Sequence, residues 1–115
     1  MTTNRIDKPW GYEDLVYVGN DYVVKRLFMK AGHSCSLQYH NLKHETIIVF
    51  DGSLRFLVGP DENNLEEKIL HPGDTWVIDP GIVHQMSALT DCLYIEASTP
   101  QLDDVVRLQD QYGRS

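Results

Sequence analysis

Gly32-His33-Ser34-Cys35-Ser36-Leu37-Gln38-Tyr39-His40-Asn41-Leu42-Lys43-His44-Glu45, continued by Thr46-Ile47-Ile48-Val49-Phe50-Asp51-Gly52, is the stretch on which the fold turns. Gln38 and His40 are two residues apart, so on a strand both side chains leave the same face, as two ligands converging on one ion require. Glu45 lies five residues beyond His40, an odd spacing that places it on the opposite face of a continuous strand. A turn must intervene. Asn41-Leu42-Lys43-His44 supplies it, and the strand that begins at Glu45 is expected to return beside the first. His84, which follows Pro80-Gly81 and opens a later strand, is the fourth donor. Two imidazoles, one carboxylate and one amide oxygen suit a borderline divalent ion, with zinc the first choice and manganese, iron, cobalt or nickel the alternatives. Such a set leaves room for water or substrate. Taken singly, a glutamine is more often only a hydrogen-bonding side chain and a histidine at a strand end more often structural.

Outward from this stretch, short segments rich in β-branched and aromatic residues follow one another: Tyr12 to Val18, Tyr22 to Lys30, Cys35 to His40, Glu45 to Phe50 and Ser53 to Val58. Lys68 to Leu70, Thr75 to Asp79, Val83 to Leu89 and Cys92 to Ala97 continue the pattern. Gly19-Asn20-Asp21, Ala31-Gly32, Asp51-Gly52, Gly59-Pro60-Asp61, Pro72-Gly73, Pro80-Gly81 and Thr90-Asp91 separate them with residues suited to tight reversals. Only Leu102 to Asp110 reads as helical, with Val105, Val106 and Leu108 as its apolar side and two aspartates in its first turn. Many short strands with almost no helix predict an all-β sandwich or barrel ending in a short C-terminal helical segment.

A chain of 115 residues is expected to form one domain over residues 1–115, since a second core would leave neither half enough apolar burial. No apolar run approaches the ~18 residues of a membrane span. The polar opening from Met1 to Pro9 lacks the pattern of a secretion signal, which points to the cytoplasm. Cys35 and Cys92 form no close-spaced pair and are expected to be packed, reduced thiols. A net charge of −7 argues against nucleic-acid binding, which depends on neutralising many phosphates. It does not oppose a single sugar phosphate, which two or three well-placed cations hold.

The stretch from Gly32 to Gly52 resembles the first motif of the cupins, with Gln38, His40 and Glu45 at the ligand positions. Gly73, Pro80-Gly81 and His84 resemble the second, with Asp79 where proline is common and Ala88 where asparagine is common. Glutamine in place of the usual first histidine, the opening Lys8-Pro9-Trp10-Gly11-Tyr12-Glu13 and the closing segment from Asp103 to Arg114 resemble the type II mannose-6-phosphate isomerases. In that family the isomerase is one half of a protein that is also a mannose-1-phosphate guanylyltransferase. The resemblance implies a cupin barrel, a double-stranded β-helix of jelly-roll type. It also implies a metal held by Gln38, His40, Glu45 and His84, and interconversion of mannose 6-phosphate and fructose 6-phosphate. The chain lacks the Gly-rich nucleotide-binding signature of the other half, so no guanylyltransferase activity is expected. The resemblance further implies a homodimer, the commonest closed assembly.

Lys43 stands where the family has an arginine implicated in catalysis; it keeps the charge but loses the planar fork. Lys43, Glu45 and Arg107 are the candidate catalytic residues. For Lys43 the competing reading is a solvated turn residue, and for Arg107 an ion pair with Asp103 or Asp104 at helical spacing. Arg114 reads as surface, and His33 and His71 as structural or exposed. Trp10 and Tyr12 read first as packing and second as a sugar-stacking platform, and His44 as a weak acid–base candidate. Two further functions stay open: a non-catalytic cupin that binds metal and a sugar or sugar nucleotide, and a cupin enzyme of another class such as a dioxygenase.

Overall fold

The computed structural model describes residues 4–110 and 112–113. Among these residues eleven strands form in chain order: β1 (Asn4–Lys8), β2 (Gly11–Val18), β3 (Val23–Met29), β4 (Leu37–Tyr39), β5 (Glu45–Asp51), β6 (Leu54–Gly59), β7 (Glu66–Leu70), β8 (Thr75–Ile78), β9 (Val83–Ala88), β10 (Cys92–Ser98) and β11 (Val106–Gln109). They make two antiparallel sheets, one in the order β1-β2-β3-β10-β5-β8 and the other β11-β4-β9-β6-β7. From β3 onward every connection except the β6–β7 hairpin carries the chain from one sheet to the other. Residues close in sequence therefore face each other across the interior.

Strict alternation fills that interior. Val23, Lys25, Leu27 and Met29 are the buried positions of β3, Glu45, Ile47 and Val49 those of β5, and Leu54, Phe56 and Val58 those of β6. Each fully buried Leu, Ile or Phe side chain contributes about 1.5–3 kcal/mol from apolar area removed from water. At the Asp51-Gly52 reversal between β5 and β6, Gly52 has a φ of 81°, and a Cβ there would meet the Asp91 carbonyl oxygen at 2.1 Å. Only glycine fits that crossing.

Two sequence expectations are corrected. Among the described residues there is no helix, and the stretch expected to be one, Leu102 to Asp110, instead carries β11, which pairs with β4 (Val106 opposite Tyr39, Arg107 opposite Gln38). Two adjacent β-branched valines and an open edge of β4 outweigh the weak helical periodicity, because pairing satisfies backbone groups that the edge would leave to water. The strand begun at Glu45 also does not return beside β4. It lies in the opposite sheet between β10 and β8, while β4 is flanked by β11 and β9. The polar opening holds a strand as well, β1, whose partner β2 carries a buried Asp14 gripped by Arg5 and Arg26.

Candidate metal centre

His40, at the end of β4, and Glu45, at the start of β5, are joined by the four-residue loop from Asn41 to His44, which crosses between the sheets. His84 sits on β9, directly opposite Gln38 in the β4–β9 pairing. Ligand atoms of His40, Glu45 and His84 all fall within 4.8 Å of one another, and all three residues are buried. Glu45 Oε1 is 3.2 Å from His40 Nε2 and 3.2 Å from His84 Nε2.

The imidazole tautomers follow from the other ring nitrogens. Nδ1 of His40 hydrogen-bonds the carbonyl oxygen of Asp104, and Nδ1 of His84 that of Ile82 at 2.9 Å. A carbonyl only accepts, so each Nδ1 donates to it and each ring turns its Nε2 to the centre. Two imidazole nitrogens and a carboxylate oxygen then converge in a buried space: His40 Nε2 is in hydrogen-bond contact with Glu45 Oε1, and His84 Nε2 is buried without a hydrogen-bond partner. A divalent cation resolves that arrangement, and the donor set fits one. Gln38 shares the β4 face of His40, and its Oε1 accepts a hydrogen bond from Ser36 Oγ at 2.6 Å, leaving its second lone pair for an ion.

Above the centre lies a cavity of about 290 Å³, walled in part by Gln38, His40, Lys43, Glu96, Trp10 and Arg107. Lys43 is not a solvated turn residue: it is 5% exposed, its Nζ 3.3 Å from Glu45 Oε2 and 3.4 Å from Glu96 Oε2. Burial works against its ammonium, but Glu96 and Glu45 outweigh this and raise its pKa. The two carboxyls divide in opposite directions. Burial also opposes ionisation of Glu45, yet His40, His84 and Lys43 hold it well below the ordinary carboxylate range. Glu96 is pushed up to about 8, by burial first and the neighbouring Glu45 charge second. A further buried pair, Lys25 and Glu13 at 3.3 Å, continues the charged wall, with Lys25 opposite Glu96 in the β3–β10 pairing.

Glu96, Lys25 and Glu13 were not singled out by sequence. The legible signal was parity: in Cys92-Leu93-Tyr94-Ile95-Glu96 the glutamate falls on the same side as Cys92 and Tyr94, the inward one. Arg107 lines the cavity from β11, while Asp104, its expected helical partner, accepts hydrogen bonds from loop amides instead. His44 is turned away, its Nε2 on Asp79 Oδ1 at 2.9 Å on the exposed surface. Trp10 packs in the core at the cavity edge, and Tyr12 stacks on Phe28. His33 pairs with Tyr112 through Nδ1 at 2.6 Å, His71 is exposed, and Cys35 and Cys92 are buried thiols outside any disulfide. Arg114 lies outside the described residues.

Two antiparallel sheets closing on a buried centre of two histidines and a glutamate that could hold a metal ion have the architecture of a cupin. The fold agrees with that of the capsular polysaccharide assembling protein CapF from Staphylococcus aureus, at a TM-score of 0.81 and 18% identity over 94% of this chain and 34% of that one. The family model "Mannose-6-phosphate isomerase C-terminal" matches residues 1–110, and the chain belongs to that family. It is similar to the mannose-1-phosphate guanylyltransferase ManC of Salmonella typhimurium, 32% identical over 93% of this chain and 22% of ManC. It is also similar to the alginate biosynthesis protein AlgA of Pseudomonas syringae pv. tomato, 32% identical over 99% of this chain and 24% of AlgA. The chain thus spans about a quarter of these relatives' length. Among the described residues no helix is long and apolar enough to cross a membrane.

Proposed function

We propose that this chain is a metal-dependent sugar-phosphate isomerase that interconverts mannose 6-phosphate and fructose 6-phosphate. The observation that carries the reading is the orphaned Nε2 of His84, converging with His40 and Glu45 beneath a cavity whose wall holds both a buried carboxyl and buried cations. Family membership supplies the sugar. A divalent ion held by Gln38, His40, Glu45 and His84, zinc before manganese, iron, cobalt or nickel, supplies Lewis-acid stabilisation of the charge that develops on the substrate oxygens.

The chain's own residues do the rest. An aldose–ketose interconversion moves one proton between neighbouring carbons and a second between the two oxygens they carry. Glu96, which lines the cavity, takes the carbon-bound proton and returns it to the adjacent carbon. Lys43 Nζ, fixed by Glu45 and Glu96, hydrogen-bonds the oxygens between which the second proton passes. Arg107, on the edge strand β11, holds the phosphate at the cavity wall, where its planar fork suits a phosphate's oxygens. Trp10, Leu27 and Tyr94 add apolar surface to the wall and keep bulk water from the reacting carbons.

Metal analysis of the purified protein followed by turnover assays on a panel of sugar phosphates tests the reading. Turnover of mannose 6-phosphate by zinc-loaded protein is expected. Metal and sugar phosphate bound without turnover would instead establish the non-catalytic binding protein, and activity confined to redox-active iron or copper an oxygenase. We further propose a cytoplasmic homodimer joined through the outer face of the six-stranded sheet, where Ile48, Phe50 and Val77 are exposed. Light scattering reads its mass directly.

A further inference from the structure

The loop from Asn41 to His44 delivers Lys43 and Glu45 to the centre and leaves from His40, so its shape sets three of the site's side chains at once. Loops of this kind hold a fixed shape only when their backbone groups find partners. Most of these partners come from one residue. Asp104 Oδ2 accepts the amides of Leu42 at 2.6 Å and Lys43 at 2.9 Å, and Oδ1 that of Asn41 at 3.0 Å. The main-chain carbonyl of the same residue accepts from His40 Nδ1. The loop ends are fastened elsewhere, by Gly81 N on the His40 carbonyl at 2.7 Å and by Thr99 Oγ1 on the His44 amide at 2.9 Å. The middle depends on Asp104.

We infer that Asp104 is a positioning residue for the metal centre, its carboxylate fixing the loop that carries Lys43 and Glu45 and its carbonyl fixing the ring of His40. The inference rests on the metal reading above. Asp104 is no ligand itself, because both carboxylate oxygens are engaged by the loop amides. It sits in the segment between β10 and β11, and its neighbours Asp103, Val105 and Arg107 line the cavity. The same short segment therefore forms part of the substrate wall and supports the ligands beneath it. Without the carboxylate three neighbouring amides lose their acceptor together, and the loop is free to re-form around water with Glu45 displaced. Partners of this kind behind metal ligands are worth about 10–100-fold in affinity.

The test uses the full chain and cobalt(II) alone, following the visible absorption spectrum and the dissociation constant in wild type, Asp104→Asn and Asp104→Ala, with thermal unfolding of the metal-free proteins alongside. Asp104→Asn keeps one acceptor oxygen and is expected to bind about tenfold more weakly, Asp104→Ala toward a hundredfold, both with an altered cobalt spectrum. The spectrum and affinity of the folded protein separate positioning from a merely structural staple, which would lower the melting temperature and leave both unchanged. If Asp104→Ala does not fold, Asp104→Asn decides alone. Wild-type affinity and spectrum in a folded Asp104→Asn would overturn the inference by itself. Failure of wild type to bind cobalt would overturn it together with the metal reading on which it rests.

Discussion

The two ends of the barrel interior are built on the same strands and do opposite things. Along β5 the inward residues run Glu45, Ile47, Val49; along β9, His84, Met86, Ala88; and along β10 in reverse, Glu96, Tyr94, Cys92. The end formed by Ile47, Val49, Leu54, Phe56, Met29 and Cys92 is wholly apolar. Two residues further along the same strands the interior is a lattice of buried charge: Glu13, Lys25, Glu96, Lys43 and Glu45. Burying those charges costs free energy even when they are paired, so the charged end does not hold the fold together. The apolar end bears that load and leaves the other free to carry a chemically demanding site.

That division can be broken most sharply at His84. His84→Ala removes a donor that has no hydrogen-bond partner at its Nε2, so zinc affinity is expected to fall at least about 100-fold, more than any residue behind the ligands contributes, with turnover lost. Equilibrium dialysis and a coupled isomerase assay read both, and an unchanged affinity would remove the metal centre from His84. At the other end, Leu54→Ala is expected to cost about 2–5 kcal/mol in urea unfolding, because Leu54 is fully buried, while the folded fraction keeps its metal affinity. Loss of metal binding in folded Leu54→Ala would show that the two ends are not separable.

Within the charged end, Glu96→Gln keeps the shape but cannot carry a proton between carbons. Turnover is expected to fall about a hundredfold with metal content unchanged, measured by steady-state kinetics beside metal analysis. The smallest effect is one of pH. The amide of Leu42 first, then those of Asn41 and Lys43, hold the Asp104 carboxyl down to about 2. A carboxyl depressed on folding contributes stability that is complete above its unfolded value of about 3.9 and is lost as pH falls through its folded value. Urea unfolding between pH 5 and pH 2 is therefore expected to steepen toward acid in wild type more than in Asp104→Asn; parallel curves would place the Asp104 bonds outside the stability of the fold.

The donor pattern was legible in the sequence. Gln38 and His40 share a face because a strand has a period of two, and His84 follows a Pro-Gly reversal that starts a strand. Parity exposes Glu96 as well, since an inward glutamate in an otherwise apolar alternation is costly unless it has a partner. Asp104 carried no such signal. Its partners are main-chain amides 61 to 63 positions away, and main-chain groups leave no trace in residue identity. The C-terminal segment misled for a related reason: Val105, Val106 and Leu108 satisfy a helical spacing, and only the open edge of β4 makes pairing the better arrangement.

By itself the sequence determined the alternation of the strands, the all-β class and the four donors Gln38, His40, Glu45 and His84, because each rests on local periodicity and residue chemistry, and its motifs carried the family resemblance. Tertiary structure alone decided that β4 and β5 lie in opposite sheets, that Lys43 is buried between two carboxyls and that Asp104 holds the loop between the ligands. Those outcomes depend on which backbone groups are left unpaired once the two sheets close, a property of the whole chain and of no single stretch.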